Sequence, residues 1–243
     1  MIKQIPSVFL ALMLFWFSLF VSWLSLSSVN FMYPWLYDVM SLDASIEEFG
    51  PQNLYKKDFH LTSDEERFRL FEEIVIAINH QGNGLEEIRY HNAQGEVLDY
   101  LLRDPEVVHL QDVANLIDRL RYFSFAVCLA IAITLVVLNI SKRPRVFSTL
   151  KMFVVTLVSC VAAVVGVLIY GAEKIFYQWH TLVFPEGHQW FFYYQESLMT
   201  TMMRAPDLFG GIAILLGVVG LCCFFVCLKL VELLFRYRYR RDT

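Results

Sequence analysis

Charge is scarce in this chain. Only 18% of its 243 residues are Asp, Glu, Lys or Arg, while 57% are hydrophobic and 16% aromatic. An ordinary soluble domain carries about 25% charge. The shortfall excludes a disordered chain, a collagen and a typical soluble enzyme, and keeps much of the mass out of water. It is also concentrated: no charge occurs in 4–37, 122–141, 152–172 or 208–228. A hydrocarbon core about 30 Å thick needs about 20 apolar helical residues. Helices are therefore expected near 6–29, 121–141, 151–171 and 208–234, and four spans place both termini on one side. The first is read as an uncleaved anchor within 1–30. Its apolar run exceeds the roughly 7–15 residues of a signal-peptide core, and no small-residue cleavage site follows.

Acidic residues are nearly missing from one set of segments. Lys3, Lys142, Arg143, Arg145, Lys151, Lys229, Arg236, Arg238, Arg240 and Arg241 are accompanied there only by Glu232 and Asp242. Basic residues mark the cytoplasmic side, so both termini and the loop between spans two and three are placed in the cytoplasm. The remaining ten basic and 22 acidic residues fall within 30–121 and 172–207, the two outer segments with Arg121 at their edge. An outer face that acidic excludes nucleic acid, whose binding needs clustered Lys and Arg. Cysteine is missing outside as well. Cys128, Cys160, Cys222, Cys223 and Cys227 all lie within the expected spans, so no disulfide framework is indicated.

The first outer segment, 31–120, reads as a small α+β domain. Ser63-Asp64-Glu65-Glu66 is a capping-box pattern, and Phe68, Phe71, Val75 and Ile78 follow at helical spacing. Gln81-Gly82-Asn83-Gly84 ends that helix, and Ile88 to Leu98 around Asn92-Ala93-Gln94-Gly95 predicts a hairpin. Asp104 as N-cap and Pro105 at the first helical position then open a helix that runs into span two without a break signal. Along it Glu106, His109 and Asp112 share one face, either a solvated polar stripe or a site. The second outer segment, 172–207, is crowded with aromatics: Trp179, Phe184, Trp190 and their neighbours flank His180. Trp and Tyr favour the membrane interface. The segment is thus an aromatic belt with an incidental histidine, or a pocket for acyl chains with His180 as its polar group. Spans two and three with their basic loop make up 121–171, and span four with a basic tail makes up 208–243.

These residues resemble the bacterial lipoprotein intramolecular transacylase family, small four-span membrane proteins. The resemblance rests on Glu106-x-x-His109-x-x-Asp112-Val113, on Trp179-His180 followed by Leu182, Phe184 and Trp190, on Pro206-Asp207-x-Phe209 at the last span, and on the four-span plan. Pro105 stands where the family has a basic residue, Trp179 where phenylalanine is usual, and Asp207 in place of glutamate. The resemblance implies transfer of the sn-2 acyl chain of a diacylglyceryl-modified lipoprotein to the amine of its own N-terminal cysteine, giving a lyso-form lipoprotein. The site would face outward from the bacterial cytoplasmic membrane. The partners would be diacylglyceryl lipoproteins and membrane lipids, with no cofactor and no metal. The family's two functional histidines fall on His109 and His180, with Glu106, Asp112, Trp179, Phe184 and Trp190 as orienting or substrate-binding residues.

That reaction is aminolysis of an ester within one molecule, through an eight-membered cyclic transition state. Orientation supplies about 7–11 kcal/mol in favourable cases. No acyl-enzyme is required, which fits a sequence without a Gly-x-Ser-x-Gly elbow. One histidine would be the base for the amine and the other would donate to the oxyanion or the leaving oxygen; the sequence does not say which. A position in the first turn of its helix would keep His109 neutral, while Glu106 or Asp112 would oppose this and orient the ring. His60, His80 and His91 read as surface residues, and His188 as a possible substrate contact. Two other classes fit the residues: a metal-dependent membrane hydrolase built on Glu106, His109, Asp112 and His180, and a non-enzymatic module that binds lipid or a partner helix.

Overall fold

The computed structural model describes residues 5–56, 58–140 and 148–241, without the side chains of 5–7 and 237–241. Lys3, Lys142, Arg143, Arg145 and Asp242 lie outside the described residues, as do the side chains of Arg238, Arg240 and Arg241. The elements in order are α1 (Ile5–Ser27), α2 (Tyr33–Val39), α3 (Leu42–Phe49), α4 (Asp64–Asn79), β1 (Arg89–His91), β2 (Val97–Tyr100), α5 (Asp104–Ile140), α6 (Thr149–Tyr170), α7 (Ala172–Val183), α8 (Leu198–Met203) and α9 (Asp207–Arg241). Four of them, α1, α5, α6 and α9, are long and apolar enough to cross a membrane. In α5 the charge-free part begins only at Tyr122; residues 104–121 carry six charged side chains, Asp104, Glu106, Asp112, Asp118, Arg119 and Arg121, and lie outside it.

The chain divides into two compact units. One combines the described residues of 1–25, 120–171 and 214–243. Its core is aliphatic and aromatic, with Leu10, Met13, Leu14, Val127, Phe224, Leu228 and Val231 buried together. Trp16 Nε1 donates to Ser124 Oγ at 3.0 Å, and Ser22 Oγ donates to the Leu216 carbonyl at 3.0 Å. A Cβ on Gly220 would come within 2.7 Å of Leu19, so α1 and α9 approach closely where that glycine sits. Side chains of α6 such as Val154, Val158, Val161 and Leu168 are exposed. Apolar surface on that scale asks for lipid or a partner to cover it.

The second unit draws on 26–119 and 172–213. Tyr33 is its anchor: fully buried, stacked on Phe71 at 4.1 Å, and donating its hydroxyl to the Met202 carbonyl at 3.0 Å. Ser63 caps α4 by accepting from the Glu66 N–H. The other half of the expected capping box is absent, because the Glu66 carboxylate goes to Arg69 and His91. That choice fastens the β1–β2 hairpin to α4. The strands pair antiparallel, Arg89 with Tyr100 and Tyr90 with Asp99. Asn92 Oδ1 accepts from the Gln94 and Glu96 amides in the turn, and Gly95 takes φ +81°, a conformation open to glycine at little cost. After α4 the chain turns through Gln81, Gly82 and Gly84, all at positive φ, as the glycine-rich run predicts.

The start of α5 differs by one residue from the expectation. The Arg103 carbonyl accepts the first helical bond, from Val107, so Arg103 is the N-cap and Pro105 the second helical residue. The helix then continues unbroken to Ile140, as expected. His109 falls in its second turn and not its first.

Candidate active site

The second unit brings two imidazoles together. His109 on α5 and His180 on α7 have ring centroids 6.2 Å apart. Helix α6 ends at Tyr170, and Gly171, at φ +106°, separates it from α7. What joins the rings is a shared aromatic wall. Phe184 lies 5.0 Å from His109 and 5.2 Å from His180. Around His180 stand Phe176 at 3.9 Å, Trp190 at 4.8 Å and Trp179 at 5.0 Å, and Phe192 lies 6.1 Å from His109. Phe176 is one helical turn before His180, so a single face of α7 presents both. His109, His180, Phe184 and Phe192 are all buried.

Burial sets the electrostatics. An imidazolium in this wall would lose its water shell, which pushes His109 down to about 4, helped by His180 and opposed by Asp112. His180 is also held below the ordinary histidine value, again by burial, with its backbone hydrogen bond acting the other way. His180 Nδ1 lies 2.7 Å from the Phe176 carbonyl. A carbonyl only accepts, so Nδ1 carries the proton and Nε2 of the neutral ring carries the lone pair. Among the described residues no hydrogen bond fixes the His109 ring.

Among the described residues neither acidic residue of the motif hydrogen-bonds to His109. Glu106, fully buried, receives the Ser197 hydroxyl on Oε1 at 2.5 Å and the Arg103 amide on Oε2 at 2.8 Å. The second bond is the N3-to-N-cap half of a capping box. Arg103 Nε stands 3.4 Å from Oε2, an ion pair without hydrogen-bond alignment. Burial still holds the Glu106 carboxyl above the usual range. Asp112 lies with Oδ2 2.6 Å from His188 Nδ1. Four ligands for a metal hydrolase therefore do not converge on one point.

Sequence reasoning did not single out Phe176, Phe192 or Ser197. Phe176 was discoverable from its i−4 spacing to His180. Ser197 carried only the signal of a helix cap, and it does cap α8 by accepting from the Thr200 amide at 2.9 Å.

The model of the lipoprotein intramolecular transacylase Lit family matches residues 8–206. The chain belongs to the Lit family. It is a multi-pass membrane protein with the Lit fold. A structure of Lit from Bacillus cereus with one histidine replaced by arginine superposes with a TM-score of 0.67 at 13% identity, over 100% of this chain and 95% of that one. A second, with alanine at that histidine, gives 0.64 at 14% identity, over 100% and 96%. A third structure of the same Lit gives 0.65 at 14% identity, over 100% and 99%. At that identity the likeness is one of fold. No curated protein sequence matches the chain. Four apolar helices of spanning length agree with this membership in the Lit family.

Proposed function

We propose that this protein moves the sn-2 acyl chain of a diacylglyceryl-modified lipoprotein onto the amine of the lipoprotein's N-terminal cysteine. The observation that carries the reading is the pair of buried, neutral imidazoles 6.2 Å apart in an aromatic wall, in a chain of the Lit family. Two neutral imidazoles at that separation reach opposite sides of one tetrahedral centre. The wall of Trp179, Phe184 and Trp190 suits acyl chains, which are insoluble in water and soluble among rings.

The roles follow from the environments. A free α-amine titrates near pH 8. A group held at about 4 is a poor base for it, yet a neutral N–H donor at every working pH. His109 is therefore assigned to the oxyanion. His180 presents an unprotonated Nε2 and is assigned as the base. The amine nitrogen attacks the ester carbon and yields its proton to His180 Nε2. The carbon–oxygen bond to glycerol then breaks, and the imidazolium returns that proton to the glycerol oxygen. An amide forms, an ester is lost, and no covalent enzyme intermediate intervenes. The transient imidazolium faces Phe176 and Trp190, a cation–π environment of about 0.5–2 kcal/mol.

The unit holding the two histidines is assigned to the extracytoplasmic side, with its small α+β portion within 31–120, and both termini to the cytoplasm; the support is the acidic balance of the outer segments against the basic tails. Diacylglyceryl lipoproteins within the surrounding membrane lipids are the partners.

Expression in a bacterium lacking N-acylation tests the reaction. Mass spectrometry of a lipoprotein N-terminal peptide should show an N-acylated, S-monoacylglyceryl cysteine; an unchanged diacylglyceryl peptide would overturn it. The pH profile tests the roles. Both histidines titrate below their ordinary value and so remain neutral as the pH falls through 6.5, leaving the substrate amine as the titrating group. The logarithm of kcat/KM should then rise with slope one through pH 6.5 and level off above pH 8. A slope of two setting in just below 6.5 would mean that the base titrates at its ordinary value.

A further inference from the structure

The segment after α7 carries two of the rings that touch the histidines, yet it has no regular structure between Pro185 and Phe192. It reverses at Gly187, φ +86°, where the His188 amide donates to the Pro185 carbonyl at 3.3 Å. It then places Trp190 against His180 and buries Phe192 beside His109. Ring contacts hold such a segment in place but direct it weakly, at about 0.5–1.5 kcal/mol each. The directional contact is the 2.6 Å bond between His188 Nδ1 and Asp112 Oδ2. Among the described residues it is the one side-chain hydrogen bond joining 185–192 to another element. Asp112 stands three residues after His109 on the same helix face, so the bond registers the segment against the helix that bears His109. The Asp112 side chain is 12% exposed and that of His188 42%, so the tie closes from the outside.

We propose that Asp112 and His188 are positioning residues: their bond straps 185–192 across the site and thereby fixes the orientation of both imidazoles through Trp190 and Phe192. Neither touches the reacting atoms. This rests on the transacylase reading, and it gives Asp112 a partner other than His109.

The test uses the full-length protein in lipid nanodiscs with Asp112→Ala, His188→Ala and the double variant. Orientation acts on the transition state, so each single variant should lower kcat about five- to tenfold with KM unchanged within about twofold. The double variant should be no worse than the poorer single, because both remove one bond. Deuterium uptake over 184–192 should rise in all three variants. An unaltered kcat, a rise in KM with kcat intact, or fully additive losses would overturn the strap, as would unaltered deuterium uptake. If the wild type forms no lyso-form product, the transacylase reading falls, while the exchange measurement still decides whether the bond holds the segment.

Discussion

Replacing His180 with alanine is expected to lower kcat by about 10²–10⁴-fold, the range that a positioned general base supplies. His180→Gln should fare no better, since an amide nitrogen does not take up a proton. His109 should behave differently. His109→Ala removes a donor to the oxyanion, at a cost of about 10²–10³-fold, whereas His109→Gln keeps an N–H at similar reach and should recover part of that loss. The contrast follows from two observations: the Phe176 carbonyl fixes the proton of His180 on Nδ1, and burial holds His109 at about 4. Initial rates of lyso-form production by the four variants are the measurement. Recovery by glutamine at 180 and not at 109 would reverse the roles. Thermal midpoints recorded alongside separate lost chemistry from a collapsed aromatic wall.

Glu106→Ala is expected to be the most damaging of the stability changes. The carboxylate is fully buried and joins three things: the Ser197 hydroxyl, the Arg103 amide and the Arg103 side chain. Truncation strands a buried hydroxyl and a buried amide at about 1–3 kcal/mol each and leaves Arg103 without its nearest anion. A loss of about 3–5 kcal/mol is in line with breaking a buried charged network from one side. Glu106→Gln should cost far less, because an amide oxygen still accepts from Arg103 and its NH₂ donates to Ser197. The protonation argument points the same way, since burial already favours the neutral carboxyl. Thermal unfolding in detergent reads the difference. Equal midpoints for the alanine variant and the wild type would show that the network contributes nothing. Activity of the alanine variant should fall with stability, as Glu106 caps the turn immediately before His109.

Much of the fold was legible because its signals are local or statistical. Four charge-free runs of bilayer length became α1, α6, α9 and the far part of α5. The Ser63 cap, the Gly82 and Gly84 stop and the Asn92 turn were each readable within a few residues. Where local reasoning slipped, a side chain had a better partner far away in sequence. Glu66 left its capping box for Arg69 and His91, and Asp112 turned from His109 to His188.

The membrane character, the number of spans and the residue types on offer are written in the order of residues, because hydrophobicity and turn chemistry act along the chain. That order also placed Glu106, His109 and Asp112 on one helix face, since 3.6 residues make a turn. What each of them meets depends on packing between distant parts of the chain. His109 and His180 are 71 residues apart in sequence and 6.2 Å apart in space. Their protonation depends on how completely rings from 176 to 192 exclude water, and on one carbonyl that fixes a tautomer. Desolvation and hydrogen-bond direction are properties of packed atoms, and no order of residues states them in advance.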